Sequence, residues 1–281
     1  MRRLGLTNGD TFYLLLLLVP SLLIVVFYVL PVLNVLFLSV TYPRPTLENY
    51  QLLVDSSAIQ RILLVTARIC GVTTVITVAC AYILAYRIVH APPAEARFLL
   101  TAVLIAFWIS VLIRAFAWVA LLQPNGLINT ALIATGVISE PLALVRNEVG
   151  VVIGMVHYMV PYAVLPLIGA MRGIDPSLSA AACSLGASPG QTFAKVFLPL
   201  SIPGVAGATT LIFILALGFY ITPAILGGGK VVMVAEYISL QMTETLRWGV
   251  AAMLAVVMLL TVAGLILLSG RALNLGAAKA V

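Results

Sequence analysis

Long apolar runs alternate along this chain with short polar punctuation, and the runs set the architecture. A bilayer core is crossed by about 20 apolar residues in helical form, and residues 12–40, 62–89, 98–122, 149–171, 203–226 and 248–270 each meet that length. The first run exceeds the apolar region of a signal peptide and is followed by no convincing small-residue cleavage site, so it is expected to remain as an anchor. The pattern therefore predicts an all-α polytopic membrane protein with six transmembrane helices, forming a single transmembrane domain over residues 1–281.

Composition agrees with this reading, since 63% of the residues are hydrophobic and 9% are charged. A soluble domain could not cover its surface with so few ions. The net charge of +6 is informative through its distribution. If the N-terminus faces the cytoplasm, Arg2, Arg3, Arg87, Arg97, Arg172, Lys195, Arg271 and Lys279 fall inside, and Arg44, Arg61, Arg146, Lys230 and Arg247 fall outside. Most of the acids, Glu48, Asp55, Glu140, Glu148, Glu236 and Glu244, fall outside as well. The positive-inside bias then predicts that both termini are cytoplasmic. Basicity here reflects topology; the soluble segments carry no basic patch with stacking aromatics, so no nucleic-acid partner is expected. Cys70, Cys80 and Cys183 lack neighbouring His or Cys at ligand spacing, and no metal site is expected.

The longest cytoplasmic segment, 172–203, carries readable punctuation. Asp175 followed by Pro176 is an N-cap with proline in the first turn. A short helix is expected to run to about Leu185, where Gly186 can close it in the left-handed conformation. Ser188 and Pro189 repeat the start signal for a second short helix, expected to end before Leu198 and Pro199. Two readings of this helix–turn–helix stand. One is an amphipathic connector resting on lipid, although such helices place cations on the polar face and "PSLSAAACSL" has none. The other is a socket for a soluble protein, whose backbone can approach the small side chains closely.

The spacing "AAACSLGAS…VFLP" (180–188 and 196–199) resembles the coupling loop of ABC importer permeases. The resemblance extends over the chain through "TLENYQLL" (46–53), "FWISVLIRAFAWVALL" (107–122) with "NGLIN" (125–129), "MVPYAVLPL" (159–167) and "GFYITPAILGGGK" (218–230), all similar to permeases of the spermidine/putrescine type. It implies the type I ABC importer permease fold in a bacterial inner membrane. Residues 172–203 would serve as the ATPase-coupling loop, with Ala181, Ala182, Gly186, Val196, Leu198 and Pro199 at the matching positions. Ala180 replaces the usual glutamate and Cys183 a common basic residue, so docking would rest on shape, helix ends and Arg172, Asp175 or Lys195. The resemblance also implies the partners: a second, related permease subunit in a heterodimer, an ATPase dimer that binds ATP and magnesium, and an extracytoplasmic substrate-binding protein. No cofactor is expected in this chain. "GGGK" (227–230) lacks the upstream glycine of a phosphate loop and is followed by Val231 where Ser or Thr should hold magnesium, so it reads as a turn.

Arg68 and Arg114 are the ionisable residues well inside the predicted spans. An isolated intramembrane arginine is costly and should face protein, water or an acid, and either can reach outward to Glu148 or Glu140. Proline with aromatic neighbours in "VPYAVLP" (160–166) and "LGFYITPAILGGG" (217–229) predicts two broken helices, since unwound backbone is tolerated where it lines a cavity. Tyr158, Tyr162, Phe219, Tyr220 and Thr222 join the arginines as candidate pathway residues, with packing kinks as the competing reading. His157, Trp108 and Trp118 are expected to pack. Aromatic faces suit a polyamine. Two arginines without an intramembrane carboxylate suit an opine, an aminobutyrate-like amino acid or an aminophosphonate. Outside this class, an intramembrane enzyme lacks paired acids, a nucleophile with its base, or metal ligands at one depth. A passive channel would have no use for the cytoplasmic socket.

Overall fold

A computed structural model describes the backbone of residues 8–278 and the side chains of residues 16–270. Arg2, Arg3, Arg271 and Lys279, used above for the orientation, have side chains outside this range, as does the start of the first predicted span. Among the described residues all regular structure is helical, and six helical stretches are long and apolar enough to cross a membrane.

The chain divides into two compact units. The first comprises residues up to Ser56 together with Ile238–Leu259. It holds α1 (Asn8–Ile24), a π-helical turn (Val25–Val29), α2 (Leu30–Thr41) and α3 (Glu48–Asp55). The most apolar window of the 16–41 stretch contains no buried residue, which in a bilayer is the expected state of a helix solvated by hydrocarbon. The "TLENYQLL" motif has a local task here. Asn49 is buried, and its Nδ2 donates to the carbonyls of Ser39 at 3.2 Å and Tyr42 at 2.9 Å. These carbonyls lie at the end of α2, where helical partners run out. Gly249 passes so close to this turn that a Cβ would lie 2.1 Å from the Tyr42 carbonyl oxygen.

The second unit, Ser57–Tyr237 with the chain beyond Leu260, contains α4 (Ser57–His90), α5 (Pro93–Trp108), α6 (Val111–Leu122), α7 (Leu127–Ala134), α8 (Glu148–Arg172), α9 (Pro176–Ser184), α10 (Pro189–Thr192), a second π-helical turn (Phe193–Phe197), α11 (Leu198–Leu217) and α12 (Ile221–Gly227). The chain then enters α13 (Val234–Thr243) and α14 (Trp248–Ala278). Its centre is α4 on α8, the most extensive helix pair, with α11 against both. Cys70, Ala81 and Ala85 of α4 and Met155, Met159, Ala163 and Val164 of α8 are fully enclosed. Small residues let the backbones approach and methionines fill the remaining gaps, as membrane packing requires where lipid is as apolar as the core.

Three expectations need correction. The predicted third span, 98–122, is two helices, because Ile109 and Ser110 adopt extended backbone between α5 and α6. No proline or glycine marks that break in the sequence. The segment around "VPYAVLP" is not broken; α8 continues through Pro161 and Pro166, packed closely enough on its neighbours to tolerate two missing N–H donors. The second cytoplasmic helix does not stop before Leu198 either. The helix started at Pro189 runs through the π turn directly into α11, and the uninterrupted stretch extends to Leu217. Proline at the second position of α11 replaces no needed donor where the π turn has already shifted the hydrogen-bond register.

Candidate functional site

Two regions of the second unit collect the residues singled out in the sequence. The first forms where two chain breaks meet α8. Residues 109–110 restart the helix so that Arg114 lies in the first turn of α6, its N–H donating to the Ser110 carbonyl at 3.1 Å. On the other side α11 ends at Leu217, and Gly218, Phe219 and Tyr220 pass to α12 without regular helix. This is the predicted break at "LGFYITP". α12 packs on both α6 and α8, which brings Phe219 to the same place.

There the Arg114 guanidinium lies 4.4 Å above the ring of Tyr158. Tyr158 stacks on Tyr162, one helical turn further along α8, with centroids 5.3 Å apart and hydroxyls 2.9 Å apart. Phe219 closes on Tyr158 at 4.6 Å, and Phe107, at the end of α5, on Tyr162 at 4.9 Å. Arg114 is 6% exposed, and its Nε and Nη1 are buried with no hydrogen-bond partner among the described residues. Electrostatic stabilisation of this charge thus comes from aromatic faces. The arrangement can hold a cation on rings, and it presents N–H groups that an anion could take up.

The remaining candidates are placed differently. Arg68 forms an ion pair with Glu148 at the start of α8, one of the two acids considered for it above. Tyr220 stands in the α11–α12 break with its ring 44% exposed. Thr222 is buried at 2% exposure, and its Cγ2 would lie 2.7 Å from a Cβ added at Gly154. It packs against α8 at Gly154. His157 accepts at Nδ1 from Trp118 Nε1 at 3.0 Å. Trp108, expected to pack, is 82% exposed.

The second region is the 172–203 segment. Asp175 caps α9 by accepting from the Ser177 N–H at 2.8 Å, and this bond lowers the carboxyl pKa. Gly186 takes φ +87°, the left-handed turn that ends the helix. Ser188 and Gln191 form a reciprocal capping box at the start of α10, their side-chain oxygens accepting from two orphan backbone N–H groups. α9 contains no buried residue, and Leu178 and Leu185 of this turn are 46% and 89% exposed. Ala181 is exposed and Ala182 half-buried, and beyond the turn Val196 is half-buried while Leu198 and Pro199 lie at the surface of the continuing helix. Cys183 is exposed, with Sγ 3.5 Å from the Thr192 Oγ1.

One part of this region was not anticipated from the sequence. Tyr86 and His90, on the last turns of α4, pack edge-on against the π turn: Tyr86 meets Phe193 and Phe197 at 5.2 Å each, and His90 meets Phe197 at 5.0 Å. Tyr82 adds a 2.9 Å hydroxyl contact to Ser201. The four-residue spacings Tyr82–Tyr86–His90 and Phe193–Phe197 are visible in the sequence as one-sided aromatic faces. They read as ordinary apolar content without knowledge that the two helices meet.

No protein-family model matches the chain. It is 32% identical over 203 residues to the spermidine/putrescine transport system permease protein PotB of Haemophilus influenzae, covering 72% of this chain and 71% of that one. It is 28% identical over 230 residues to PotB of Escherichia coli strain K12, covering 82% and 83%. Among solved structures, a bacterial ABC transporter involved in import of the acidic polysaccharide alginate superposes with TM-score 0.79 over 95% of this chain and 96% of that one, at 17% identity. The MetNI methionine ABC transporter superposes with TM-score 0.57 over 79% and 99%, at 16% identity.

Proposed function

The chain belongs to the permease subunits of ABC importers, in the group of the spermidine/putrescine systems, and from that membership we propose that it forms half of an ATP-driven import pathway for a polyamine. The observation that carries the energy-coupling half of this reading is the 172–203 loop. A charge-poor helix with no buried residue, α9, is joined through one glycine turn to a helix that continues unbroken into the membrane-spanning α11. Displacement of α9 by a soluble partner therefore pulls directly on α11, and through the aromatic contacts at Phe193 and Phe197 on α4. The partner is a separate ATPase dimer that binds ATP and magnesium; it enters as a rigid body that reads the shape of the socket. A second, related permease completes the pathway, and an extracytoplasmic binding protein delivers the cargo. The termini face the cytoplasm on this reading, which puts the loop on the side of ATP.

The cargo assignment rests on the named relatives and on the rings around Tyr158, which suit ammonium groups. A second reading follows from Arg114, whose unpartnered nitrogens suit a carboxylate or phosphonate carried by an amine. The test is ATP hydrolysis by the assembled complex in proteoliposomes, with binding protein loaded with spermidine, putrescine, γ-aminobutyrate or an opine. Stimulation by the polyamine-loaded form supports the proposal. Stimulation confined to a zwitterion-loaded form replaces the cargo, and hydrolysis indifferent to loading rejects the coupled importer.

A further inference from the structure

We propose that the rings of Tyr158, Tyr162 and Phe219 form an ammonium-binding subsite that Arg114 keeps occupied in the absence of cargo, so that an organic cation passes by taking the place of the guanidinium. This deepens the polyamine reading and rests on it.

The side chain of Arg114 is 6% exposed and two of its nitrogens have no hydrogen-bond partner among the described residues, yet its Cζ lies 4.4 Å over Tyr158. The other intramembrane arginine, Arg68, is settled on a carboxylate. Arg114 is thus a desolvated cation whose identified electrostatic partner is an aromatic face, and rings that accept a guanidinium accept a primary or secondary ammonium by the same attraction. Two such cations cannot share the face, because unscreened like charges about 4 Å apart repel strongly wherever water is excluded. Cargo and Arg114 are therefore alternatives.

The surroundings permit the exchange. Arg114 sits in the first turn of α6, just past the extended pair Ile109–Ser110, and Phe219 lies in the irregular link between α11 and α12. Both sides of the subsite are carried on helix ends, whereas Tyr158 and Tyr162 are fixed on the continuous α8. Small rotations of α6 or of the link move the guanidinium or Phe219 off the tyrosine pair without unpacking the α4–α8 core. In this arrangement Arg114 also excludes inorganic cations, which gain too little from the rings to displace it, and holds the pathway closed to leakage.

The test is equilibrium binding of radiolabelled spermidine to the purified complex of both permeases and the ATPase, without the binding protein. Arg114→Met removes the competing charge at similar length and is expected to bind spermidine about tenfold more tightly than wild type, equivalent to about 1.4 kcal/mol. Free guanidinium should compete in the Met variant and have little effect on wild type, and Arg114→Lys should fall between the two. Tyr158→Leu should abolish binding. Equal or weaker spermidine binding by an assembled Met variant overturns the proposal, as does γ-aminobutyrate binding that wild type shows and the Met variant loses, which marks an anion site. If no form binds spermidine, the cargo reading fails separately. Labelled guanidinium then still decides the inference, by binding to the Met variant and not to wild type, or by failing to do so.

Discussion

Substitution at Gly186 isolates the coupling turn from everything else in the fold. The residue sits at φ +87°, and a Cβ there would meet nothing within 4 Å. Alanine is therefore penalised by backbone conformation alone, about 1–2 kcal/mol for an L-residue held in the left-handed region. If docking requires this turn, that cost lowers the docking-competent population by about fivefold or more. Proline is harsher: it fixes φ near −65° and removes the N–H that donates to the Cys183 carbonyl at 3.0 Å, a loss of about 3 kcal/mol or more by analogy with helix interiors. Because α9 buries none of its residues, neither variant should disturb membrane insertion or assembly of the spans. The assay is paired: substrate-stimulated ATP hydrolysis and labelled uptake by the same proteoliposomes. Gly186→Ala should lower uptake severalfold, and Gly186→Pro should leave hydrolysis uncoupled from transport or abolish its stimulation. Wild-type uptake and stimulation in the proline variant would refute the assignment of the loop.

Further outcomes follow from particular contacts. Tyr86→Leu should lower uptake per ATP hydrolysed while Tyr86→Phe stays near wild type, since ring contacts worth about 0.5–1.5 kcal/mol each join α4 to the π turn; a uniform loss of assembly in both would assign the residue to folding instead. Asn49→Ala leaves the Ser39 and Tyr42 carbonyls without their side-chain donor and should cost about 2 kcal/mol, read by thermal unfolding in detergent. Glu236 is buried beyond the spans, and desolvation raises its carboxyl pKa from the usual 4.5, opposed by the Met233 N–H. A raised folded pKa means that the folded state binds more protons, so its contribution to stability is full below the unfolded pKa and is lost as pH rises through the folded one. Glu236→Gln should flatten that decline above pH 4.5, measured as midpoint denaturation against pH; an unchanged slope would place the buried charge elsewhere.

The spans were legible because each needs only length and apolarity, and the caps because Asp175–Pro176 and Ser188–Pro189 act through their own neighbouring backbone. Gly186 was readable for the same reason. The break at Ile109–Ser110 was hidden, since neither residue disfavours helix strongly enough to mark it; it leaves Phe107 at the end of α5 and Arg114 in the first turn of α6. Conversely, Pro161 and Pro166 suggested a break that tertiary packing overrides. The candidate pathway residues were named individually from chemistry, but their grouping required α6, α8 and the α11–α12 link to converge. That convergence gathers Arg114, Tyr158, Tyr162 and Phe219 and sets Thr222 against Gly154, while the separate packing of α4 on α8 pairs Arg68 with Glu148. The contact of Tyr86 and His90 with Phe193 and Phe197 depends on a π turn, whose register no local spacing announces.

The most direct test of the account is uptake of radiolabelled spermidine into proteoliposomes containing this chain with its partner permease and ATPase, supplied with binding protein and ATP. Saturable accumulation that requires both ATP and binding protein, competed by putrescine and not by γ-aminobutyrate or an opine, is the predicted result. Spermidine flux that proceeds equally without ATP would make the chain a channel, and ATP-driven uptake of an anionic or zwitterionic compound in its place would contradict the cargo.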